Sequence, residues 1–115
     1  MRHFATVVIG GGAAGIMAAG VAASRGGNVL LCERMEKPQR KVRITGKGRC
    51  NLTNLCSEEE FLAKVRCGAD FFASALHRFD SEATMRFFER IGVPLTVERG
   101  RRVFPSSGKA WDIAD

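Results

Sequence analysis

An α/β fold organised around a strand–helix–strand unit is predicted by three observations. Phe4 to Ile9 is a short β-branched run, Gly10 to Gly15 is a glycine cluster inside an otherwise apolar stretch, and Asn28 to Cys32, "NVLLC", is a second apolar run that ends on Glu33. Phe4 to Ile9 reads as a buried parallel strand, because it is apolar throughout rather than alternating. Ala14 to Ser24 reads as a helix of small residues, with Arg25 in its last turn and Gly26-Gly27 ending it. Asn28 to Cys32 is the second buried strand. Together they make one βαβ unit, the context in which a G-x-G-x-x-G spacing carries meaning.

Within that unit each glycine has a physical task. Gly10 permits a tight turn off the strand, Gly12 leaves the backbone open to a pyrophosphate, and Gly15 lets the helix lie close to the sheet. The phosphates would meet the free N–H groups and positive end of the helix starting near Ala13. Glu33 stands where a carboxylate accepts hydrogen bonds from the hydroxyls of an adenosine ribose. The fold class is therefore α/β, a Rossmann-like FAD/NAD(P)-binding fold. At this stage NAD and FAD remain equal alternatives, since they share the ADP half. Glu33 would repel a 2′-phosphate, which argues against NADP, while the neighbouring Arg34 would accommodate one.

Composition removes several other classes. The 115 residues are 45% hydrophobic, enough for one small packed domain rather than a disordered chain. Arg2, the apolar run and "GVAAS" imitate a signal peptide, but three central glycines, each worth about 1 kcal/mol against helix, serve no export function. The same interruptions argue against a membrane span. Cys32, Cys50, Cys56 and Cys67 form no C-x-x-C pair, and His3 and His77 are the only histidines, so no metal site is expected. The cysteines read as reduced thiols of a cytoplasmic protein. A net charge of +6 favours phosphate-bearing partners without choosing among them.

"RKVRITGKGRCNLTN", Arg40 to Asn54, reads as a polar loop suited to holding phosphates and a flat ring by backbone contact. With "VVIGGGAAGIMAA", "VLLCE" and the later "ERGRRVFPSSGKAWDIAD", it resembles the N-terminal part of the BaiN/YhiN-like flavoproteins, NAD(P)/FAD-dependent oxidoreductases. The resemblance covers essentially the whole chain. It implies FAD as the tightly held cofactor, with NAD(P)H as an electron donor and a small molecule as substrate. It places Gly10, Gly12, Ala14 and Gly15 around the pyrophosphate, with Gly11 in the same turn, and Glu33 at the adenosine ribose, with Arg34 next to it. Arg40, Lys41 and Thr45 would lie along the phosphates and ribityl chain, and Gly46 to Asn51 would bring backbone near the flavin ring. One departure stands out: the family has glycine before the Arg-Lys pair, where this chain has Gln39, and a positive φ there would strain glutamine. Lys47 and Arg49 read as surface residues.

The remainder is read from local signals. Ser57 and Glu60 make a capping box for a helix running to Cys67. "FFASALHRF" and "EATMRFFERIG" follow helical period, placing Phe71, Phe72, Phe79, Phe87 and Phe88 on a buried face, with His77 structural. "PLTVERGRRVFPSS" reads as a hairpin around Gly100, with Arg101 and Arg102 meeting solvent in preference to an anionic substrate. Lys109 to Asp115 starts an amphipathic helix. Two parallel strands are too few for a doubly wound sheet, so the fold is expected to be incomplete and the chain an N-terminal piece of a longer flavoprotein. Two alternatives remain: an RNA-associated protein whose basic loop 34–49 tracks phosphates, although no aromatic residues interleave there to stack bases, and an NAD-binding module without flavin. No catalytic acid or base is assigned.

Overall fold

β1 (Thr6–Ile9), α1 (Ala13–Ser24) and β2 (Val29–Cys32) form the expected βαβ unit in a computed structural model that describes residues 1–115. The strands pair in parallel from Thr6 opposite Val29 to Ile9 opposite Cys32. β1 starts later than its apolar run: Phe4 and Ala5 lie outside it, although the Ala5 and Thr6 N–H groups both donate to Asn28 O. The strands are also less buried than expected. Val8 faces α1, whereas Val7 and Ile9, on the opposite face of the pleat, are 54% and 87% exposed because no element of this chain packs there. α1 is apolar on all sides, yet only Ala19 is buried.

The polar loop expected from Arg40 to Asn54 is partly helical. α2 (Arg40–Gly48) is regular over its first five residues, up to Ile44, and breaks at Thr45, Gly46 and Lys47, whose backbones are not helical. Burial drives the difference: one turn of helix carries Val42 onto the cluster of Cys50, Ala110 and Ile113, which Leu52, Phe88, Val93 and Leu95 also cover. This cluster is the core of the larger half of the molecule.

Three antiparallel strands back that core in the order β3-β5-β4: β3 (Thr53–Asn54), β4 (Leu95–Glu98) and β5 (Arg102–Pro105). β4 and β5 are the hairpin around Gly100, as read from the sequence. Val103, Phe104 and Pro105 of the central strand are fully or almost fully buried. Between β3 and β4 run α3 (Glu58–Leu62), α4 (Ala69–Arg78) and α5 (Ser81–Arg90), and α6 (Trp111–Ala114) closes onto α2.

The capping box is present in both directions, with Ser57 Oγ accepting from Glu60 N–H and Glu60 accepting from Ser57 N–H. Loss of such a cap costs about 1 kcal/mol. α3 nevertheless stops at Leu62, well before Cys67, because Val65 to Gly68 turn into α4 and Gly68 takes a left-handed conformation. The buried phenylalanine face is only partly realised. Phe79, Phe87 and Phe88 form a chain of edge-on contacts, and Phe61 meets Phe72 at 5.8 Å, but Phe71 is 92% exposed and Phe72 and Phe79 are each more than a third exposed. Phe72 and Leu76 share one stripe of α4, Phe79 follows just past its end, and Phe71 lies a quarter-turn or more off the stripe. His77 is exposed, with Nδ1 3.4 Å from Glu58 Oε2.

Arg101 does not stand free in solvent. Its two Nη atoms donate to Glu60 at 2.9 and 3.2 Å, tying the hairpin tip to the start of α3. The Arg101 guanidinium, then the Ser57 N–H, hold the Glu60 carboxyl down to about 2, from an ordinary 4.5. A depressed carboxylate contributes stability that is present above its unfolded value and lost as pH falls through its folded value. Melting temperature should therefore decline between pH 4.5 and pH 2, and in Glu60→Gln that part of the decline should flatten. The pair is half exposed, so the slope removed will be small. Parallel melts of the two proteins across this range make the comparison.

Candidate cofactor site

The β1–α1 turn is built by four glycines with different reasons for being there. Gly10 has φ +104° and donates its N–H to Cys32 O at 2.7 Å, turning the chain off β1 at the level where β2 ends. A Cβ on Gly15 would lie 1.9 Å from Gly10 O and 3.5 Å from Val8 Cγ1, so this position sets how closely α1 approaches the turn and the strand. Gly11 is buried, and a Cβ there would meet Glu33 Oε2 at 3.0 Å and Pro38 Cβ at 3.1 Å. Gly12 differs from all three: its φ is −78°, open to any residue, and a Cβ would find nothing within 4 Å. The folded chain has no steric need for glycine at this place.

What Gly12 leaves bare is the start of α1. The first N–H groups of any helix lack intrahelical acceptors, and no side chain caps these. Ala13 and Ala14 are exposed. An uncapped, exposed N-terminus on a 12-residue helix, beside a glycine that only open space explains, has the form of a phosphate cradle.

Glu33 is locked to this turn. Its Oε2 accepts from Gly11 N–H at 2.7 Å and its Oε1 from Met35 N–H at 2.8 Å. The Met35 and Gly11 N–H groups, in that order, lower its pKa, so the group is an anion at neutral pH. Each carboxylate oxygen accepts one protein hydrogen bond and keeps acceptor capacity for a hydroxyl. The residues present therefore fit the ADP half of a dinucleotide: bare amides for the diphosphate, and an acceptor-only carboxylate fixed to the same turn through Gly11.

The second half of the predicted site is brought to the first through Gln39, whose N–H donates to Gly11 O at 2.7 Å. Gln39 takes the positive φ that the sequence departure raised, 58°. A left-handed non-glycine residue costs roughly 1–2 kcal/mol, and here the conformation is held by the bond to Gly11 and by Gln39 Nε2 donating to Ala114 O at 2.9 Å. Ala13, Gln39, Thr45 and Asn51 line one cavity of about 600 Å³ between α1 and the α5–α6 side of the core. Ala13 and Asn51, far apart in sequence, thus open onto the same cavity. Of the residues predicted for the site only Thr45 and Asn51 line it; Gly10, Gly11, Gly12, Ala14, Gly15, Glu33 and Gly46 do not, nor do Arg34, Arg40 and Lys41, which are exposed.

Two residues beyond the sequence-based set shape the same segment. Arg49, read from the sequence as a surface residue, bonds Glu98 with both Nη atoms and lies over the Phe104 ring at 4.3 Å. Its signal was its place between glycine and cysteine in a strained loop, but both partners are distant in sequence. Cys50 is buried with φ 57°, and burial pushes its thiol up, with a smaller opposing effect from Thr45. It is a packing residue, protonated at neutral pH, rather than a nucleophile.

Residues 4–115 match the family model described as the HI0933-like protein Rossmann domain. The chain is 38% identical over 112 residues to a 3-dehydro-bile acid delta(4,6)-reductase of Clostridium scindens, covering 94% of this chain and 26% of the reductase. It is 42% identical over 79 residues to a ribosomal RNA dihydrouridine synthase of Escherichia coli K12, covering 69% of this chain and 19% of the synthase. The chain spans about a quarter of the first relative's length and about a fifth of the second's.

Proposed function

The chain belongs to the HI0933-like family of Rossmann domains, and from that premise we propose that it supplies the ADP-binding half and part of the flavin-binding surface of an FAD-dependent oxidoreductase acting on a small molecule. The observation that carries this reading is the bare Gly12 turn with Glu33 fixed beside it. The α1 amides would hold the diphosphate, Glu33 would hold the adenosine ribose, and Thr45 and Gly46 to Asn51 would border the ring. When bound, FAD supplies hydride transfer through its flavin ring. This chain's residues bind and orient it. The kinship to a named bile acid reductase supports the oxidoreductase class.

The test is retention of flavin. Protein carrying this sequence should purify yellow and release FAD on denaturation. Glu33→Ala, which removes the ribose acceptor and frees the Gly11 and Met35 N–H groups, should bind FAD roughly tenfold or more weakly by fluorescence titration, about 1.4 kcal/mol. A colourless protein that takes up no FAD would defeat the proposal, and unchanged affinity in Glu33→Ala would remove the ribose assignment.

A second reading has support from the relative named as a ribosomal RNA dihydrouridine synthase and from the net charge of +6. Here the same flavin site would act on an RNA base. Lys37, Arg40, Lys41 and Lys47 are all exposed along the segment from β2 to the loop. RNA retention that falls steeply with salt, by flavin-loaded protein, would favour this reading over a small-molecule substrate.

A further inference from the structure

The segment from Gly46 to Asn51 holds a conformation that its own sequence does not favour. Gly46, Lys47, Gly48 and Cys50 all have positive φ, of 56°, 57°, 82° and 57°, and two of these are not glycine. Local bonds are few: Arg49 N–H to Gly46 O at 3.2 Å and Cys50 N–H to Thr45 O at 3.0 Å. One backbone bond from outside, Ala110 N–H to Gly48 O at 2.8 Å, anchors the middle.

Two side chains add to this hold: Cys50, buried in the core cluster at the end of the segment, and Arg49. Arg49 reaches across to β4, where Nη1 bonds Glu98 Oε2 at 3.2 Å and Nη2 bonds Oε1. Its guanidinium also lies over the ring of Phe104 of β5, with Cζ 4.3 Å from the ring centre. Phe104 is 4% exposed, and its Cε1 would be 3.5 Å from a Cβ on Gly46. The ring thus lies close both to the start of the loop and to the guanidinium that follows it. The Arg49 and Glu98 side chains are 42% and 33% exposed, so the charge attraction is partly screened, and what distinguishes this pair from an ordinary surface pair is its two-pronged geometry and its contact with a buried ring. The mutual effect agrees: Glu98 holds the Arg49 guanidinium more firmly protonated, and Arg49 lowers the Glu98 carboxyl.

We propose that Arg49 is a positioning residue: by gripping Glu98 and Phe104 it holds the left-handed backbone of Gly46 to Asn51 in place, so that the β4–β5 hairpin sets the surroundings of the bound flavin. This rests on the FAD reading above. Lysine would not replace it, because a compact ammonium makes neither the fork nor the stack.

The experiment compares the parent protein with Arg49→Lys, Arg49→Gln and Glu98→Gln, and with Arg86→Gln as a control that breaks only an exposed helix pair with Glu82. Amide hydrogen exchange of flavin-free protein is measured first. Exchange across residues 46–51 should quicken at least tenfold in both Arg49 variants and less in Glu98→Gln, which keeps the stack, and should not change in the control. FAD affinity, the visible circular dichroism of bound flavin and its midpoint potential are then compared. Both Arg49 variants should bind FAD at least tenfold more weakly and shift the dichroism, with lysine giving no rescue.

Unchanged exchange and an unchanged flavin spectrum in Arg49→Gln would overturn the proposal. If that variant does not fold, Glu98→Gln decides in its place, with a shift in either signal supporting the proposal and none overturning it. A parent protein that binds no FAD defeats the functional reading, and the exchange data still decide whether Arg49 holds the loop.

Discussion

Gly15→Ala is expected to destabilise the protein severely, although on helix propensity alone it should stabilise it. Alanine in a helix interior is favoured over glycine by about 1 kcal/mol. Against that gain, the new Cβ would fall 1.9 Å from Gly10 O and 3.1 Å from Gly10 C. Both are backbone atoms, so no side chain can swing aside. Gly10 is itself tied down by its bond to Cys32 O at the end of β2. Relief requires α1 to move off the turn, which loosens its contact with Val8 and disturbs the β1–β2 pairing below it. Overpacking of this kind costs roughly 1–3 kcal/mol or more, and α1 is one of only three elements in its unit. A fall in melting temperature of about ten degrees or more is expected, read by far-ultraviolet circular dichroism. A melting temperature equal to the parent's would show that α1 does not lie this close to the turn.

The same residues show which parts of the fold were legible in the sequence. The βαβ unit could be read because its signals are local: apolar runs at strand length, glycines at the junctions, and an acid where the second strand ends. The capping box at Ser57 and the hairpin at Gly100 were legible for the same reason, each being a contact over a few residues. The helical turn of Arg40 to Ile44 was hidden by its charge. Only Val42 betrays it, and the core it joins is assembled from Cys50, Ala110 and Ile113. Arg49 lies partly at the surface, as read, but its contacts with Glu98 and Phe104 are announced by nothing near it in sequence. Gln39 was an intermediate case: the departure from glycine flagged the position, and the bond to Ala114 that supports its positive φ could only be seen folded. Within the site, the position of Glu33 was legible, but its bonds to Gly11 and Met35, which explain the middle glycine of the triplet, were not.

Gly12→Ser separates folding from binding more sharply than any loss of stability, because its two effects should have opposite signs. Gly12 is the N-cap of α1, with φ −78° and ψ −176°, the extended geometry in which serine caps best. Its surroundings are empty to 4 Å, so the side chain enters without collision. A serine hydroxyl there accepts from an N–H in the first turn of α1, and stability should hold or rise by a few tenths of a kcal/mol, read as an equal or slightly higher melting temperature. That hydroxyl would occupy the space, and take up the donors, that a diphosphate needs. FAD affinity should fall roughly a hundredfold, about 2.7 kcal/mol. Stability and affinity moving apart in this way is expected wherever glycine is kept for a ligand rather than for the chain. If Gly12→Ser bound FAD as tightly as the parent, the α1 amides would not be the diphosphate site. If it instead melted far below the parent, the glycine would belong to the fold after all.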